Sequence, residues 1–263
     1  MRVHVVSDVH GNAEALARAG DGADALIVLG DLLDFVDYHE HGNGILGTLF
    51  GADKVGTFAR LRREGTREET VAFSRSLWAS LDDPGAAVEE AIRQQYATLF
   101  AAMTAPTYAT PGNVDSPGLW PEYAGPGIRL LDGEVIDIGG LRFGFVGGGL
   151  LPDGVVPRRG GGFWRPYLRE REEFDAAARA LSGIDVLCSH IPPALPDLTY
   201  DVVARRAELG SAALVDVITA EQPRWSVFGH VHQPLAARVR AGRTECRNVG
   251  HFKQTARPYV LRW

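Results

Sequence analysis

Five apolar runs in this chain each end in a short polar motif: Asp8-Val9-His10, Gly30-Asp31, Gly112-Asn113, Ser189-His190 and Gly229-His230-Val231-His232. Short apolar runs bounded by glycine or polar residues read as buried strands. Several such strands with helix-like stretches between them restrict the chain to an α/β architecture, with its chemistry at strand ends. Carboxylate, imidazole and amide donors gathered there suit hard or borderline divalent metals such as Mn, Fe, Zn or Co. One Asp-x-His is a weak signal, whereas five motifs in the same strand-end context support one another.

The order of elements follows from the same runs. Residues 3–7 form the first. Asn12 then sits where a helix N-cap is expected, ahead of the good helix formers 13–19. Residues 25–29 form the second run, so the opening reads β-α-β and predicts parallel strands. From 32 to 105 the strand pattern lapses. Residues 68–81 and 86–103 have helical period, with Asp83-Pro84-Gly85 as punctuation between them. This predicts one domain over 1–263 with a helical insertion at about 35–105. Residues 35–56, rich in Gly, His and aromatics, read as a loop over the site. Residues 107–110 return as a strand. Residues 128–138 and 141–146 read as antiparallel strands with a turn at Gly139-Gly140. Beyond a Gly/Pro/Arg-rich loop at 147–162, helices are expected at 170–181 and 210–220. Strands are expected at 186–188, 225–228, 235–239, 244–249 and 258–261.

Composition bounds the partners. With 263 residues and 45% hydrophobic content, the chain has enough apolar material for a sizeable core. A net charge of −6 argues against nucleic acid, whose phosphate backbone needs a basic surface. A small nucleotide stays open, because bound cations supply local positive charge. Cys188 and Cys246 lie in apolar strand-like segments and are expected as buried free thiols. The first residues run straight into a strand without a signal-like segment, and no apolar run approaches the roughly 20 residues of a membrane helix. The expected location is the cytoplasm, with no membrane partner.

Within the motifs, Asp8 and His10 can reach one ion whether the strand continues or has turned. Asp31 after Gly30 is the natural bridging ligand, since a carboxylate can bind two cations. His230 and His232 can point one toward each metal. His190 precedes Pro192-Pro193, which stiffens its loop. Asn113 supplies a neutral oxygen that limits accumulated negative charge. His4, inside the first strand, reads as structural. Arg158, Arg159 and Arg165 can approach a phosphate through the planar guanidinium fork, or belong to a solvated loop. Phe163, Trp164 and Tyr167 can stack on a base or pin that loop to the core.

This motif order resembles the calcineurin-like metallophosphoesterase superfamily over nearly the whole chain outside the helical insertion. The resemblance implies a four-layer α/β/β/α sandwich of two mixed sheets flanked by helices. It implies two divalent metal ions, Mn foremost among Mn, Fe, Zn and Co. Asp8, His10, Asp31 and His232 would hold one, and Asp31, Asn113, His190 and His230 the other. Asp8, Asp31, Asn113 and His230 would be the catalytic residues, and a metal-bridging hydroxide would attack a phosphate ester. The 248–251 turn, ending in His251, corresponds to a family turn close to the site. Many members carry a His after the Asn of the third motif, and here that position is Val114, with Asp115 retained. Valine cannot donate a proton, which favours phosphodiesters over monoesters and directs attention to His39 and His41 as substitute acids, against their reading as exposed loop histidines. The expected substrate is a small phosphate ester, a nucleotide among the candidates. The insertion is expected as a lid or a homodimer contact. The competing class is a non-catalytic protein-binding scaffold on the same fold, like a retromer subunit, which the complete ligand set disfavours. A protein phosphatase is disfavoured by Val114, and a nuclease by the acidic charge.

Overall fold

The structure is a computed structural model that describes residues 1–104, 106–155 and 164–263. It opens with β1 (Arg2–Val6), α1 (Ala13–Ala19) and β2 (Ala25–Val28). Asn12 caps α1 as its position predicts, its side chain accepting from the Ala15 amide at 3.0 Å. A helical stretch follows, made of α2 (Gly44–Phe50), α3 (Ala52–Glu64), α4 (Arg67–Trp78) and α5 (Pro84–Ala101). Thr66 and Glu69 close a capping box on α4, and Asp83 caps α5 with Pro84 at its first position. Then come β3 (Thr107–Ala109), β4 (Ile128–Leu130), β5 (Glu134–Ile138) and β6 (Leu141–Val146). A short pair, β7 (Gly149–Leu150) and β8 (Leu168–Arg169), precedes α6 (Arg171–Arg179) and β9 (Val186–Ser189). After α7 (Pro196–Thr199), β10 (Tyr200–Asp201) and β11 (Arg206–Ala207) come α8 (Ala212–Glu221) and β12 (Trp225–Phe228). The last elements are β13 (Arg238–Ala241), β14 (Thr244–Asn248), α9 (Phe252–Thr255) and β15 (Tyr259–Arg262).

Two mixed sheets carry the fold, in the orders β15-β1-β2-β3-β4 and β13-β14-β12-β9-β6-β5. Period-two alternation along each strand explains the layers. Val3, Val5, Ala25 and Ile27 of the first sheet meet Phe143, Phe145, Val186, Cys188 and Val227 of the second in one apolar cluster. The alternate residues Val6, Leu26 and Val28 face α1 and α5. Val146, Leu187 and Phe228 face α6 and α8. Strands apolar on both faces therefore give the α/β/β/α sandwich. Cys188 and Cys246 are buried free thiols. Among the described residues no helix is long and apolar enough to cross a membrane.

Two readings need correction. Residues 35–56 are not a loop throughout, because α2 and the start of α3 fall there. Glycine lowers helix propensity in α2, and packing outweighs it: Ile45 is buried in the cluster that holds Leu32, Leu33 and Val88, and Leu46 and Phe50 are buried with Val55 and Leu77. Residues 128–138 hold two strands, and only the second is antiparallel as expected. The chain breaks at Gly133, which has a positive φ of 76°. Ile128–Leu130 pairs parallel with β3 in the first sheet, and only Glu134–Ile138 pairs antiparallel with β6.

Candidate metal centre

β1, β2 and β3 run parallel in one sheet, and β9 and β12 run parallel in the other. Their C-terminal ends deliver all seven candidate donors: Asp8, His10, Asp31 and Asn113 from the first sheet, and His190, His230 and His232 from the second. The turns are sharp. Asp8, His10, Asp31 and His230 have φ of 57°, 41°, 51° and 68°. Left-handed backbone at a non-glycine residue costs roughly 1–3 kcal/mol and persists only where the surroundings over-determine it. Here the loops brace one another, with Asp8 N–H donating to Gly30 O at 3.1 Å and His10 N–H to Asp31 O at 2.9 Å. The close approach also requires glycine. A Cβ on Gly30 would lie 2.0 Å from Gly112 N, and one on Gly112 would lie 2.2 Å from Asp31 Oδ1.

The donor atoms fall into groups that share members. Asp8, His10 and Asp31 form one, and Asp31, His190 and His230 another, with ligand atoms within 4.8 Å of each other in each. Asp31 Oδ2 lies 3.8 Å from His10 Nε2 and 3.4 Å from His190 Nε2. Its other oxygen accepts from the Val114 amide at 2.9 Å, which fixes the carboxylate plane. Asn113 Oδ1 is 2.9 Å from His190 Nε2, and Asp8 Oδ1 is 3.4 Å from His232 Nε2. His10 Nδ1 and His190 Nδ1 face the carbonyls of Leu33 and Leu29 at 3.0 and 2.8 Å. Carbonyls only accept, so both rings carry their proton on Nδ1 and present Nε2 inward.

The charges reinforce this picture. Burial disfavours a charged His190, yet the Asp31 carboxylate beside it outweighs that effect and raises its pKa to about 9. His232 is raised in the same way, burial being outweighed by its hydrogen bond to Asp8. For Asp8, burial is outweighed by its hydrogen bond to His232, and for Asp31 by the charge of His190, so both pKa values are held low. His230 is lowered to about 4 by burial and by the His190 charge. The carboxylates thus draw in positive charge. Asp115 has another part: its carboxylate accepts from the Leu32, Leu33 and Gly112 amides and ties the second motif loop to the third. Burial and then the Asp31 charge push its pKa up to about 7.

A cavity of about 650 Å³ adjoins His10. Asp34, Asp37 and Lys253 line one side, and Asn43, Gln94 and Gln95 come from the helical stretch. Lys253 Nζ donates to Asp34 and Asp37 at 2.8 and 2.7 Å.

The remaining sequence candidates lie elsewhere. His39 is exposed, and His41 packs against α3, where a Cβ on Gly56 would sit 2.9 Å from its Nδ1. Neither belongs to the donor groups among the described residues. His4 is structural, its Nδ1 2.7 Å from Ala19 O. Trp164 stacks on Phe35 with ring centroids 4.1 Å apart, and Tyr167 O–H donates to Asp132 at 2.8 Å, so both are engaged by the protein's own side chains. Arg165 is exposed, while Arg158, Arg159 and Phe163 lie outside the described residues.

One residue the sequence reading gave no role is at the site. His251 is buried, its ring stacked on His232 at 3.9 Å and 13°. Burial, then the His232 charge, lowers its pKa to about 3. The usable signal was a histidine three positions beyond the end of β14, a strand parallel to β12.

Nitrogen and oxygen donors in two groups that share one carboxylate fit a dinuclear divalent metal centre. Known proteins agree at the level of the fold. One crystal structure superposes with a TM-score of 0.60 and 17% identity, covering 96% of this chain and 91% of that one. The protein TT1561 of Thermus thermophilus superposes with a TM-score of 0.56 and 14% identity, covering 99% of this chain and 97% of that one. No curated protein matches in sequence. The family model of the calcineurin-like phosphoesterases matches residues 1–234. Since that span takes in every donor position the sequence singled out, the chain belongs to the calcineurin-like phosphoesterase family.

Proposed function

We propose that this protein hydrolyses small phosphate esters at a dinuclear divalent centre, with phosphodiesters preferred to monoesters. The observation that carries the reading is Asp31 Oδ2, placed between His10 Nε2 and His190 Nε2 at 3.8 and 3.4 Å. One oxygen facing two donor groups is the arrangement of a bridging ligand. Asp8, His10, Asp31 and His232 would hold one cation, and Asp31, Asn113, His190 and His230 the other. When bound, the pair supplies positive charge to the phosphoryl oxygens and acidifies the attacking water.

The chain's own residues position the rest. The Val114 amide holds Asp31, and the His230 amide holds Asp8 at 3.0 Å. The Val114 side chain packs against the core and has no proton to give. A leaving group therefore departs without help from that position, which suits esters with stable leaving alcohols and favours diesters. The cavity beside His10 is of small-molecule size, about 650 Å³. Its carboxylates disfavour a second anionic group and suit a polar, hydroxyl-bearing one, so a nucleotide diester is the first natural class to test.

The test uses metal-stripped protein, a bis-aryl phosphate diester and its monoester, and Mn, Fe, Zn or Co added singly. Metal-dependent turnover is expected, faster on the diester and reduced at least about 100-fold in Asn113→Ala and His230→Ala, the scale of losing a transition-state contact. Absence of turnover with every metal, in protein that holds two equivalents, would overturn the reading in favour of a scaffold.

A further inference from the structure

We propose that Lys253 and Asp34 recognise a vicinal diol, so that the phosphodiester hydrolysed here carries a neutral polyol arm such as a sugar. The inference rests on the dinuclear phosphodiesterase reading and names the arm of its substrate. Both residues stand on the wall of the cavity that adjoins His10, so an arm lodged there is joined to a phosphate at the candidate metal centre. An ammonium group has three donors. Two of those on Lys253 go to Asp34 Oδ2 and Asp37 Oδ2 at 2.8 and 2.7 Å, and its side chain is 25% exposed, which leaves the third N–H to a ligand. Asp34 offers the matching acceptor. Its Oδ1 is neither engaged by a hydrogen bond among the described residues nor among the buried unpartnered atoms. The N–H donates to one hydroxyl of a diol while the carboxylate oxygen accepts from its neighbour, and both bonds are charge-assisted.

The pair is held in place from several sides. The Lys253 amide donates to Asp8 O at 3.0 Å, and Asn12 Nδ2 donates to Lys253 O at 3.0 Å, so the root of its side chain is tied to the first motif loop. Asp37 Oδ1 accepts from the His39 and Glu40 amides at 2.8 and 2.9 Å, which orients the second carboxylate on Lys253. Gln95 pairs with both backbone groups of Asp34. Groups fixed in this way bind with little further ordering cost. Charge then selects the arm. Asp34, Asp37 and Glu40 line the cavity against one cation, Lys253, and this negative balance repels a second phosphate or a carboxylate. An ammonium arm has no acceptor for the third Lys253 N–H, whereas a diol both accepts and donates. Asn43 and Gln94 add amides from the helical side, and about 650 Å³ suits a sugar or a nucleoside.

The experiment measures kcat/KM of the metal-loaded full chain on a bis-aryl phosphodiester, on the aryl phosphodiester of a ribonucleoside, and on that of its dideoxy counterpart, which lacks both hydroxyls. Wild type is compared with Lys253→Met and Asp34→Ala. Wild type should prefer the diol to the dideoxy substrate by about tenfold or more, the scale of hydrogen bonds to charged groups. In both variants that ratio should fall toward one. The ratio does not depend on the fraction of protein folded, because both substrates meet the same preparation. Calorimetry on the metal-free chain gives a readout without turnover, in which the free ribonucleoside should bind wild type more tightly than the free dideoxynucleoside. Equal kcat/KM or equal affinity for the two in wild type, or a preference that survives in either variant, would overturn the diol proposal while turnover of the bis-aryl diester keeps the dinuclear reading intact. No turnover of the bis-aryl diester with any metal would overturn both.

Discussion

Gly112 shows how little room the site leaves at the scale of a residue. A methyl group there would lie 2.2 Å from Asp31 Oδ1 and 2.3 Å from Asp31 N. Neither atom can yield easily, since one belongs to the Asp31 carboxylate, held by the Val114 amide, and the other to backbone already in the left-handed region. Gly112→Ala should therefore lose at least one equivalent of bound metal and about tenfold or more in turnover, the scale expected when a supporting contact fails. Gly118→Ala, where an added Cβ has nothing within 4 Å, is the control and should match wild type. Elemental analysis of dialysed protein decides, and full occupancy in Gly112→Ala would contradict the crowding argument. His190 supports a second expectation. With its pKa raised to about 9, it carries a proton at neutral pH that a cation must displace. Apparent metal affinity should rise with pH and level off above about 9, and calorimetry in buffers of different ionisation enthalpy should detect the released proton. A binding enthalpy independent of buffer would show that His190 is already neutral.

At the scale of elements, α5 is joined to the site loops through two side chains. Gln95 pairs its amide with both backbone groups of Asp34, at 2.9 and 3.0 Å. Tyr96, fully buried, donates its hydroxyl proton toward Asp115 Oδ1 at 3.4 Å and accepts from the Ser116 amide at 2.6 Å. Tyr96→Phe strands that amide and should cost about 1–3 kcal/mol, measured by urea unfolding with an unchanged slope. A change below about 0.5 kcal/mol would mean that water replaces the hydroxyl. α5 was legible in the sequence because its period and its Asp83-Pro84 start agree. The same holds for α1 and its Asn12 cap. α2 was not, because glycines at 44 and 47 hide a helix that exists through packing. The donors at the ends of β1, β2, β3, β9 and β12 were legible because each follows an apolar run. His251 follows one too, and only the family resemblance placed its turn close to the site, because the apolar runs themselves do not reveal that β14 lies parallel to β12 and exits beside it. The position of a residue relative to a neighbouring strand is a tertiary fact.

At the scale of the whole molecule, the donors come from both sheets, so a bound cation would add to the apolar packing and to the His190–Leu29 and His230–Asp8 hydrogen bonds that already join the two halves. The inter-sheet cluster from Val3 to Leu261 needs no metal to form, and the metal-free chain should fold. Cations that bind only the folded chain then add stability by mass action, about 2.7 kcal/mol for one site at a hundred times its Kd. At roughly 2–4 °C per kcal/mol for a chain of this size, each filled site should raise Tm by about 5–11 °C. The increment should also depend on pH. Without metal, the raised pKa of His190 contributes stability that is fully present below its ordinary value of 6.5 and is lost as pH rises through about 9. The cation takes over that role where the proton leaves. The gain in Tm on adding metal should therefore be larger at pH 8.5 than at pH 6.5, be reversed by chelator, and be smaller at both pH values in Asn113→Ala, which keeps only one complete donor group. Equal gains at the two pH values would mean that the proton on His190 does not stabilise the metal-free fold.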